Sequence, residues 1–337
     1  MKLGILAPIA WRVPPRHYGP WERVVSLLTE GLVAAGIDVT LFATADSETQ
    51  AALSAVVPRP YEEDKTLDAK VWEGLHLANI FEQAEAFDII HNHYDFLPLT
   101  YSGLIRTPVV TTIHGFSSGR ILPVYRRYGA STHYVSISYA DRRPELDYAA
   151  NVYHGIAMSE FTLRETPDDY LLFFGRIHPD KGAAAAIRVA QMTRRRLLLA
   201  GIVQDSSYFE REVEPHLSEQ IQYVGSVGPA ERDTLLGGAA ALLHLISFDE
   251  PFGLSMIEAM ACGTPVIAYE RGSVREVVAD GLSGFVVQDV AEAASAVRKI
   301  AELPREQIRA YAQTHFSQPR MVADYLRVYE KILSGKV

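Results

Sequence analysis

Two glutamates, Glu250 and Glu258, stand eight residues apart across the predicted start of a helix. The apolar residues 242–246 predict a buried strand, residues 254–262 have helical periodicity, and Pro265 prevents the helix from continuing. In such a β-loop-α-β unit, the loop and the helix N-terminus line the crevice where open α/β sheets bind ligands. The positive helix end favours an anion, and carboxylates accept strong hydrogen bonds from hydroxyl groups. The pattern therefore predicts a ligand that carries both phosphate and hydroxyl groups.

Backbone amides and two basic side chains are the groups predicted to hold the anion. The amides belong to Phe252, Gly253 and Leu254, at the start of the helix. Arg176 and Lys181 follow the first strand of the second half of the chain, and an arginine fork with a lysine point charge suits a diphosphate. Taken alone, that segment is better explained as a solvated turn with two basic residues, and its place one crossover before Glu250 is what favours diphosphate binding. The spacing is not that of a Walker loop, and the lack of a G-x-G-x-x-G motif argues against a dinucleotide oxidoreductase.

A second candidate contact region precedes the first predicted helix. Gly19 would let the backbone approach a phosphate closely, at the place where the helix directs its N-terminus. Pro20 suits the first helical turn but has no N–H, so one such contact is predicted to be missing or shifted. Arg12 and Arg16 are candidates for ligand contact, although ordinary surface roles explain them equally well.

Histidines mark the ends of two predicted strands. His114 follows the apolar strand at residues 109–113, where parallel sheets bind ligands, and its ring can hydrogen-bond a sugar hydroxyl. His91 and His93 share one strand face because of their i, i+2 spacing. No third residue has a convincing position to complete a metal site with them, so no metal is predicted there.

These motifs, in this order, resemble the retaining glycosyltransferases of family 4, which have the GT-B fold. The E-x7-E signature of that family matches Glu250 and Glu258, and FGRIHPDKG at residues 174–182 resembles its GR-x-x-x-x-KG segment. The sequence from residue 17 resembles the family's opening glycine-rich loop, helix and second strand, except that Pro20 stands where a second glycine is common. TTIHGF and SISYADR also fall in the expected order, so the resemblance covers nearly the whole chain.

The resemblance implies an α/β protein with two Rossmann-like parallel-sheet domains that face a central cleft. In the family the first glutamate contacts the donor sugar, the second holds the nucleotide ribose, and the arginine and lysine bind the donor diphosphate. A histidine at the position of His114 lies on the donor-sugar side, and the loops after Ala200 and Tyr223 hold the base through backbone groups. The implied catalytic residues are His114, Arg176, Lys181 and Glu250. The implied contacts to the nucleotide sugar are Gly19, Arg176, Lys181, Val227, Phe252, Gly253, Leu254 and Glu258.

The implied activity is the transfer of a hexose from a nucleoside diphosphate sugar to a hydroxyl acceptor that the sequence does not identify, with retention of configuration. UDP-glucose is favoured as donor and GDP-mannose is possible, and the acceptor is a sugar, a glycolipid or a small molecule. The family's front-face mechanism needs neither a protein nucleophile nor a metal, and no cofactor is expected. Two alternatives remain open: a sugar-nucleotide-binding protein without transfer activity, and another GT-B enzyme such as a sugar-nucleotide epimerase.

Alternating strand and helix signals predict parallel sheets with helices on both faces. Strands are predicted at residues 3–7, 39–44, 88–91, 109–113, 134–137, 151–154, 171–174, 197–200, 221–225, 241–247, 265–268 and 285–287. The 337 residues suffice for two domains. We predict an acceptor-side domain at residues 1–165, a nucleotide-sugar domain at residues 166–310, and a helix at residues 311–337 that crosses back to the first domain.

Composition limits the possible partners and the compartment. A net charge of −9 argues against a nucleic-acid partner. The single cysteine, Cys262, fits a reducing compartment, and the N-terminal apolar run is too short for a signal peptide. No stretch approaches the roughly 18 apolar residues needed to span a bilayer. The sequence therefore predicts a cytoplasmic protein without stable membrane insertion and leaves its oligomeric state open.

Overall fold

The computed structural model describes residues 1–16, 19–116 and 118–336 of the chain. It forms two compact units, one made of Met1–Gly155 with Gln318–Val337 and the other of Ile156–Ser317. Each unit is built on one sheet whose paired strands run parallel. The predicted α/β class with two parallel-sheet domains is therefore confirmed.

The bounds of the elements are as follows. The strands are β1 (Lys2–Leu6), β2 (Asp38–Thr44), β3 (Ala52–Val57), β4 (Ile89–Asn92), β5 (Val109–Ile113), β6 (His133–Ser136), β7 (Tyr148–Asn151), β8 (Tyr170–Phe174), β9 (Arg196–Ala200), β10 (Ile221–Gly225), β11 (Ala241–His244), β12 (Val266–Tyr269) and β13 (Gly284–Val287). The α-helices are α1 (Pro20–Ala34), α2 (Ala69–Glu82), α3 (Leu99–Ser102), α4 (Leu122–Tyr128), α5 (Ala183–Thr193), α6 (Ser206–Glu212), α7 (Pro229–Gly238), α8 (Leu254–Ala261), α9 (Val274–Val277), α10 (Val290–Val297), α11 (Arg305–Phe316) and α12 (Gln318–Leu333).

The longer helices bury one face and expose the other. In α1, Val24, Leu28 and Leu32 follow one another at a spacing of four residues, and all three are buried. This spacing places them on one stripe of the helix, which is the stripe that can pack on a sheet. Within the described part of the chain, no helix has both the length and the apolar character required to cross a membrane.

The sheet of the first unit has the strand order β3-β2-β1-β4-β5-β6-β7. The order reverses between β1 and β4, since Leu3 of β1 pairs with Val39 on one side and with Ile89 on the other. Because the strands are parallel, their carboxyl ends share one edge of the sheet. The loops after β1, β4 and β5 meet at that edge, which is where open α/β sheets bind ligands.

The last helix, α12, is part of the first unit and packs against α1. The side-chain amide of Gln318 donates a hydrogen bond to the carbonyl oxygen of Leu27 at 2.7 Å. Tyr325 and Tyr329 lie one helical turn apart on the buried face of α12. Their hydroxyl groups reach side chains of β5 and β4, respectively, so the helix is bonded to the interior of the sheet as well as packed on its neighbour.

The sheet of the second unit has the order β10-β9-β8-β11-β12-β13. The chain runs outward from β8 to β10, returns to the other side of β8 as β11, and continues outward to β13. The strand order therefore reverses between β8 and β11. The loops that leave these two strands are the ones that bear the predicted phosphate-binding residues and the first glutamate.

The segment that joins the two units is bonded to the second one. The N–H of Ile156 donates to the carbonyl oxygen of Phe316 at 2.9 Å, and the N–H of Arg164 donates to that of Cys262 at 3.2 Å. The polar sequence here places a boundary near residue 165, whereas the first unit ends at Gly155. Polar composition indicates that side chains are solvated, but it does not show which unit holds the backbone hydrogen bonds.

Candidate functional site

In the second unit, the ends of β8 and β11 bring the predicted phosphate-binding residues next to the first glutamate. Arg176 and Lys181 follow β8, and Glu250 lies in the loop after β11. The Nζ atom of Lys181 lies 3.4 Å from Oε2 of Glu250, and the two side chains are only 19% and 11% exposed. Arg176 donates a hydrogen bond to Gln204, in the loop after β9. The ion pair is therefore largely shielded from water at the place where the strand order reverses.

Gly182 allows the turn after Lys181 to lie against the end of β11. Its φ is +81°, and a Cβ atom at this position would lie 1.9 Å from the carbonyl oxygen of Leu245. Any other residue would both adopt an unfavourable conformation and collide with the backbone. The lysine-glycine pair is thus a geometric requirement for bringing the ammonium group to the glutamate.

Glu250 is held as an anion. Burial acts to raise the pKa of Glu250, but the neighbouring His244 ring and the Lys181 ammonium outweigh burial and lower it to about 2. The Nε2 atom of His244 lies 3.3 Å from Oε2 of Glu250. The Lys181 ammonium also lies 4.4 Å from the centre of the Phe248 ring, which is a cation–π contact. These partners fix the carboxylate and the ammonium group in one geometry.

The loop that carries Glu250 is anchored by the next crossover. The N–H of Ser273 donates to the carbonyl oxygen of Glu250 at 2.9 Å, and the hydroxyl of Ser273 donates to that of Phe252 at 3.0 Å. Gly253 is the N-cap of α8 and has no side chain that can cap the helix, which begins at Leu254. The amides of the first turn therefore point out of the helix end. Such fixed amides, next to a lysine, suit the binding of an anion.

Glu258 lies within α8 and is paired with an arginine from α7. An Nη atom of Arg232 lies 3.1 Å from Oε1 of Glu258, which is 4% exposed. Arg232 also lies 3.4 Å from Glu160 and stacks 5.2 Å above the Phe161 ring. The second glutamate of the motif is therefore a buried carboxylate with a fixed orientation, as a contact to ribose hydroxyls requires.

The two loops predicted to hold a base lie at the ends of β9 and β10. The hydroxyl of Tyr223 donates to the carbonyl oxygen of Gly201 at 2.8 Å and ties these loops together. Gly201 has a φ of +142°, and a Cβ there would lie 1.9 Å from the carbonyl oxygen of Gly175. Val227 is partly buried in the second loop, directly before Gly228, the N-cap of α7. The loop after β9 therefore lies beside Arg176, and Tyr223 of β10 is bonded to it.

In the first unit, Gly19 is the N-cap of α1 and is buried. A Cβ atom at this position would lie 2.9 Å from Oε2 of Glu22, which is itself buried in the first turn. Burial raises the pKa of Glu22 to about 7, although backbone N–H groups, including that of Trp11, act to lower it. An ionised Glu22 would oppose a phosphate at Gly19, so anion binding here favours its protonated form. Residues 17 and 18 of the predicted loop lie outside the described residues.

The two arginines of the same loop are already paired with carboxylates. Arg16 lies 3.1 Å from Asp46 and also pairs with Glu63. Arg12 lies 2.9 Å from Glu48. Their positive charge is therefore partly balanced within the unit, and an anionic ligand would have to compete with these carboxylates.

His114 lies directly after β5 and is 7% exposed. Its Nε2 lies 2.8 Å from Nδ1 of His93, and its Nδ1 lies 3.3 Å from Nε2 of His154. Trp21 of α1 stacks on the ring, with centroids 5.4 Å apart and an angle of 22° between the planes. Burial, followed by the neighbouring histidines, lowers the pKa of His114 well below its ordinary value, so the ring is neutral. Both ring nitrogens thus have described partners within the first unit, His93 and His154.

His114 belongs to a histidine row formed by His91, His93, His114 and His154. The Nε2 atom of His93 lies 3.2 Å from Nδ1 of His91, which completes the row. Burial lowers the pKa of each of these rings. In the described part of the chain, no group of three or more His, Cys, Asp or Glu side chains is arranged to hold a metal ion.

Neither His244 nor Arg232 is among the residues predicted from the sequence. His244 carries a signal that could have identified it, because it is the one polar residue in the apolar stretch at 241–246. Arg232 carries no such signal, since it lies among other charged residues on α7. Both position a glutamate of the motif, so the second unit holds each of the two carboxylates with a nitrogen base or cation.

Comparison with known proteins gives the chain's relationships. Residues 157–315 match the family model for glycosyl transferases group 1, and residues 21–178 match that for glycosyltransferase family 4. The D-inositol 3-phosphate glycosyltransferase of Frankia alni is 28% identical, over 85% of this chain and 86% of that protein.

Two solved structures show the fold. Sucrose-phosphate synthase from Thermosynechococcus elongatus has a TM-score of 0.80 and 19% identity, and the match covers 99% of this chain and 100% of the other. HepE from Anabaena in complex with UDP-glucose has a TM-score of 0.73 and 18% identity, and the match covers 99% and 100%. The predicted GT-B fold is thereby confirmed.

Proposed function

The chain belongs to the group 1 glycosyltransferases of family 4, and from that premise we propose that it transfers a hexose from a nucleoside diphosphate sugar to a hydroxyl acceptor with retention of configuration. The observation that carries the proposal is the pair of Lys181 and Glu250, 3.4 Å apart where the strand order of the second unit reverses. It sets a cation suited to a diphosphate beside an anion that can accept hydrogen bonds from a sugar. Membership of an enzyme family argues against a binding protein without transfer activity.

We assign the donor to the second unit. Arg176, Lys181 and the first-turn amides of α8 would hold the diphosphate, and Glu258 would accept hydrogen bonds from the ribose hydroxyls. Glu250 would contact the hexose once a phosphate competes for Lys181. The main-chain groups around Val227 would contact the base. All of these groups are fixed by the fold before a ligand arrives, which lowers the reorganisation that binding and catalysis require.

The proposed chemical step breaks the bond between the anomeric carbon and the diphosphate oxygen. The acceptor oxygen forms its bond to the same carbon on the same face, which retains the configuration, and the acceptor proton passes to an oxygen of the departing diphosphate. Arg176, Lys181 and the end of α8 stabilise the negative charge that grows on this leaving group. The step requires no protein nucleophile. We propose that it also requires no metal, since fixed positive groups already face the diphosphate.

The donor and the acceptor are assigned less closely. UDP-glucose is the favoured donor, and the HepE structure of similar fold contains this sugar nucleotide. We place the acceptor on the first unit, at the edge formed by the loops after β1 and β5. The Frankia alni relative is named for an inositol phosphate, so phosphorylated polyols belong among the first acceptors to test. The cytoplasmic location predicted from the sequence stays a prediction.

Product analysis tests the proposed function. The purified protein is incubated with UDP-glucose or GDP-mannose and a panel of sugars, phosphorylated polyols and glycolipids, and the anomeric configuration of the product is read by proton NMR. We expect a product with the configuration of the donor. An inverted product would overturn the retaining mechanism, and interconversion of the sugar nucleotide without transfer would favour the epimerase.

Binding of the nucleotide should not depend on a divalent metal. Calorimetry with UDP and with GDP, each in the presence of excess chelator, is expected to show binding, because Arg176 and Lys181 supply the positive charge for the diphosphate. UMP serves as the control and should bind more weakly, since it lacks the second phosphate. Binding that appears only after magnesium or manganese is added would contradict the metal-free site.

The two glutamates of the motif should affect different ligands. Glu258→Gln is expected to weaken binding of UDP by about 10- to 100-fold, the usual loss when a charged hydrogen-bond acceptor is replaced. Glu250→Gln should leave UDP binding nearly unchanged and weaken the use of UDP-glucose. The measurement is the affinity of each variant for UDP and for UDP-glucose. Equal losses on both ligands in both variants would show that the ribose and hexose roles are wrongly assigned.

A further inference from the structure

The histidine row extends from the end of β5 to the last helix. At its inner end, Nδ1 of His91 lies 2.7 Å from the hydroxyl of Tyr329, and Nε2 of His91 lies 2.8 Å from the hydroxyl of Thr112. Tyr325 reaches the same threonine at 2.8 Å. All of these side chains are buried. In a buried row of four neutral imidazoles, the position of the proton on one ring limits its position on the next ring. Separate surface histidines have no such restriction.

The constraint concerns where the protons lie. A neutral imidazole has one N–H donor and one nitrogen acceptor. In each link of the row a ring nitrogen faces another ring nitrogen, so one must donate and the other must accept. Every link joins an Nε2 atom to an Nδ1 atom. The links are therefore all satisfied only if every ring carries its proton on Nε2, or every ring carries it on Nδ1.

Tyr329 distinguishes these two arrangements. Among the described residues, its hydroxyl has one hydrogen-bond partner, Nδ1 of His91. If that nitrogen carried a proton, the phenol would have to accept, and its own proton would have no acceptor in the interior, which is unfavourable. If the phenol donates, the proton of His91 lies on Nε2 and is accepted by Thr112. In the first arrangement, with all protons on Nε2, the phenol and every link of the row have an acceptor, and Nδ1 of His91 shares its one lone pair between Tyr329 at 2.7 Å and His93 at 3.2 Å.

We propose that Tyr329 orders the protons of the histidine row and thereby fixes His114 with its proton on Nε2. His91, His93 and Tyr329 are then positioning residues for the end of β5. A reversed ring in the row would set two protons or two lone pairs face to face and push His114 away from its neighbours. Its consequence for catalysis rests on the proposed function, in which the acceptor lies at the sheet edge that includes the end of β5. The proton order itself does not depend on that function.

Nitrogen-15 NMR of the full chain labelled at histidine tests the proton order. The couplings between ring nitrogens and ring protons identify which nitrogen of a neutral ring is protonated, and signals are assigned with His→Gln variants of the row. We expect the four rings of the wild-type protein to be protonated on Nε2. Rings protonated on Nδ1 would overturn the proposal without any variant being needed.

Two tyrosine variants form a matched pair for the second part of the test. Tyr329→Phe removes the hydroxyl that sets the order and is expected to give a mixture of the two arrangements. Tyr325→Phe removes an equally buried hydroxyl one turn earlier, bonded to Thr112 rather than to a histidine, and should leave the order unchanged. An unchanged order in both variants would overturn the role of Tyr329.

Kinetics then separate positioning from a structural role. Tyr329→Phe is expected to lower kcat by about tenfold, as for the loss of a group that orients a site residue, with little change in the KM for the donor. Tyr325→Phe should retain wild-type kcat at a similar thermal stability. Normal kcat in Tyr329→Phe despite disordered protons would overturn the positioning role. If no donor and acceptor pair gives transfer, the proposed function fails while the NMR result still decides the proton order.

Discussion

Lys181→Ala and Arg176→Ala are each expected to slow sugar transfer by about two to three powers of ten, the usual loss for one preorganised charge donor in a transition state. The diphosphate gains negative charge as its bond to the sugar breaks, and these two side chains are the cations that we assign to it. Lys181 is already in place before a ligand binds, because Gly182 and the end of β11 hold it beside Glu250. The measurement is kcat at saturating donor and acceptor.

A control must separate this effect from a loss of stability. Lys181 is only 19% exposed and is paired with Glu250, so its removal leaves His244 as the remaining basic side chain described beside that carboxylate. Thermal midpoints are therefore measured for each variant. Lys299→Ala removes an exposed cation of the same unit, after α10, and should retain wild-type turnover. Wild-type turnover in Lys181→Ala or Arg176→Ala would remove that residue from the mechanism.

The strands were predictable where both faces are buried. The apolar runs of β1, β5 and β11 are buried at every or nearly every position, and a continuous apolar run is the pattern of a parallel strand inside a sheet. The edge strand Ala52–Val57 was not predicted: its sequence, ALSAVV, is mostly apolar but is interrupted by Ser54, and most of its residues are exposed. The other edge strand of this sheet was predicted at residues 151–154 and lies at Tyr148–Asn151, where every residue is only half-buried.

The site in the second unit was predictable to the extent that its residues are close in sequence. Arg176, Lys181 and Gly182 belong to one short turn, and Glu250 to Glu258 belong to one loop and helix. Their spacing is fixed by local geometry and therefore appears in the sequence. The contacts of Arg232 with Glu258 and of His244 with Glu250 join separate elements, so no local pattern contains them.

The contacts of the first unit depend even more on residues that are far apart in the sequence. The i, i+2 spacing of His91 and His93 indicates a shared strand face, which is a local property. The histidine row also needs His114 from the next strand, His154 from beyond β7, and Tyr329 from a helix at the end of the chain. These residues come together only because the sheet order and the return of α12 bring them together. A single sequence gives no signal for such long-range contacts.

The first unit is expected to lose stability steeply as the pH falls below about 6.5. Burial lowers the pKa of its five buried histidines below the ordinary value of 6.5, to about 4 for His76 and about 3 for His154, and well below it for His91, His93 and His114. It also lowers the pKa of the half-buried His133. In the unfolded chain each ring binds a proton near pH 6.5, whereas the native unit excludes it. The unfolded state therefore binds more protons in this window, so stability is complete above pH 6.5 and is lost as the pH falls.

Protonation of Glu22 stabilises the native unit as the pH falls, but this effect is smaller than the loss of stability caused by the histidines. Its pKa is raised from an ordinary value of 4.5 to about 7, so between these values the native unit binds a proton that the unfolded chain lacks. One such group against the five buried histidines leaves a net uptake of at least about four protons on unfolding, or about 5 kcal/mol for each pH unit once the unfolded rings are protonated. A loss of this size is comparable with the whole stability of a typical domain, about 5–15 kcal/mol.

Tryptophan fluorescence reports on the unfolding of this unit alone, because all three tryptophans of the chain lie within it. They are Trp11, Trp21 and Trp72. Denaturant unfolding followed by fluorescence between pH 5.5 and pH 8 should give a free energy of unfolding that is nearly constant above pH 7 and falls steeply below pH 6.5. His76→Gln is the matched variant, since its amide can still donate to the carbonyl oxygen of Ala7, which His76 contacts at 2.9 Å, but it cannot titrate. Its pH dependence should be shallower by about one proton. A free energy that stays constant from pH 8 to pH 5.5 in the wild-type protein would show that these rings are not held neutral by the fold.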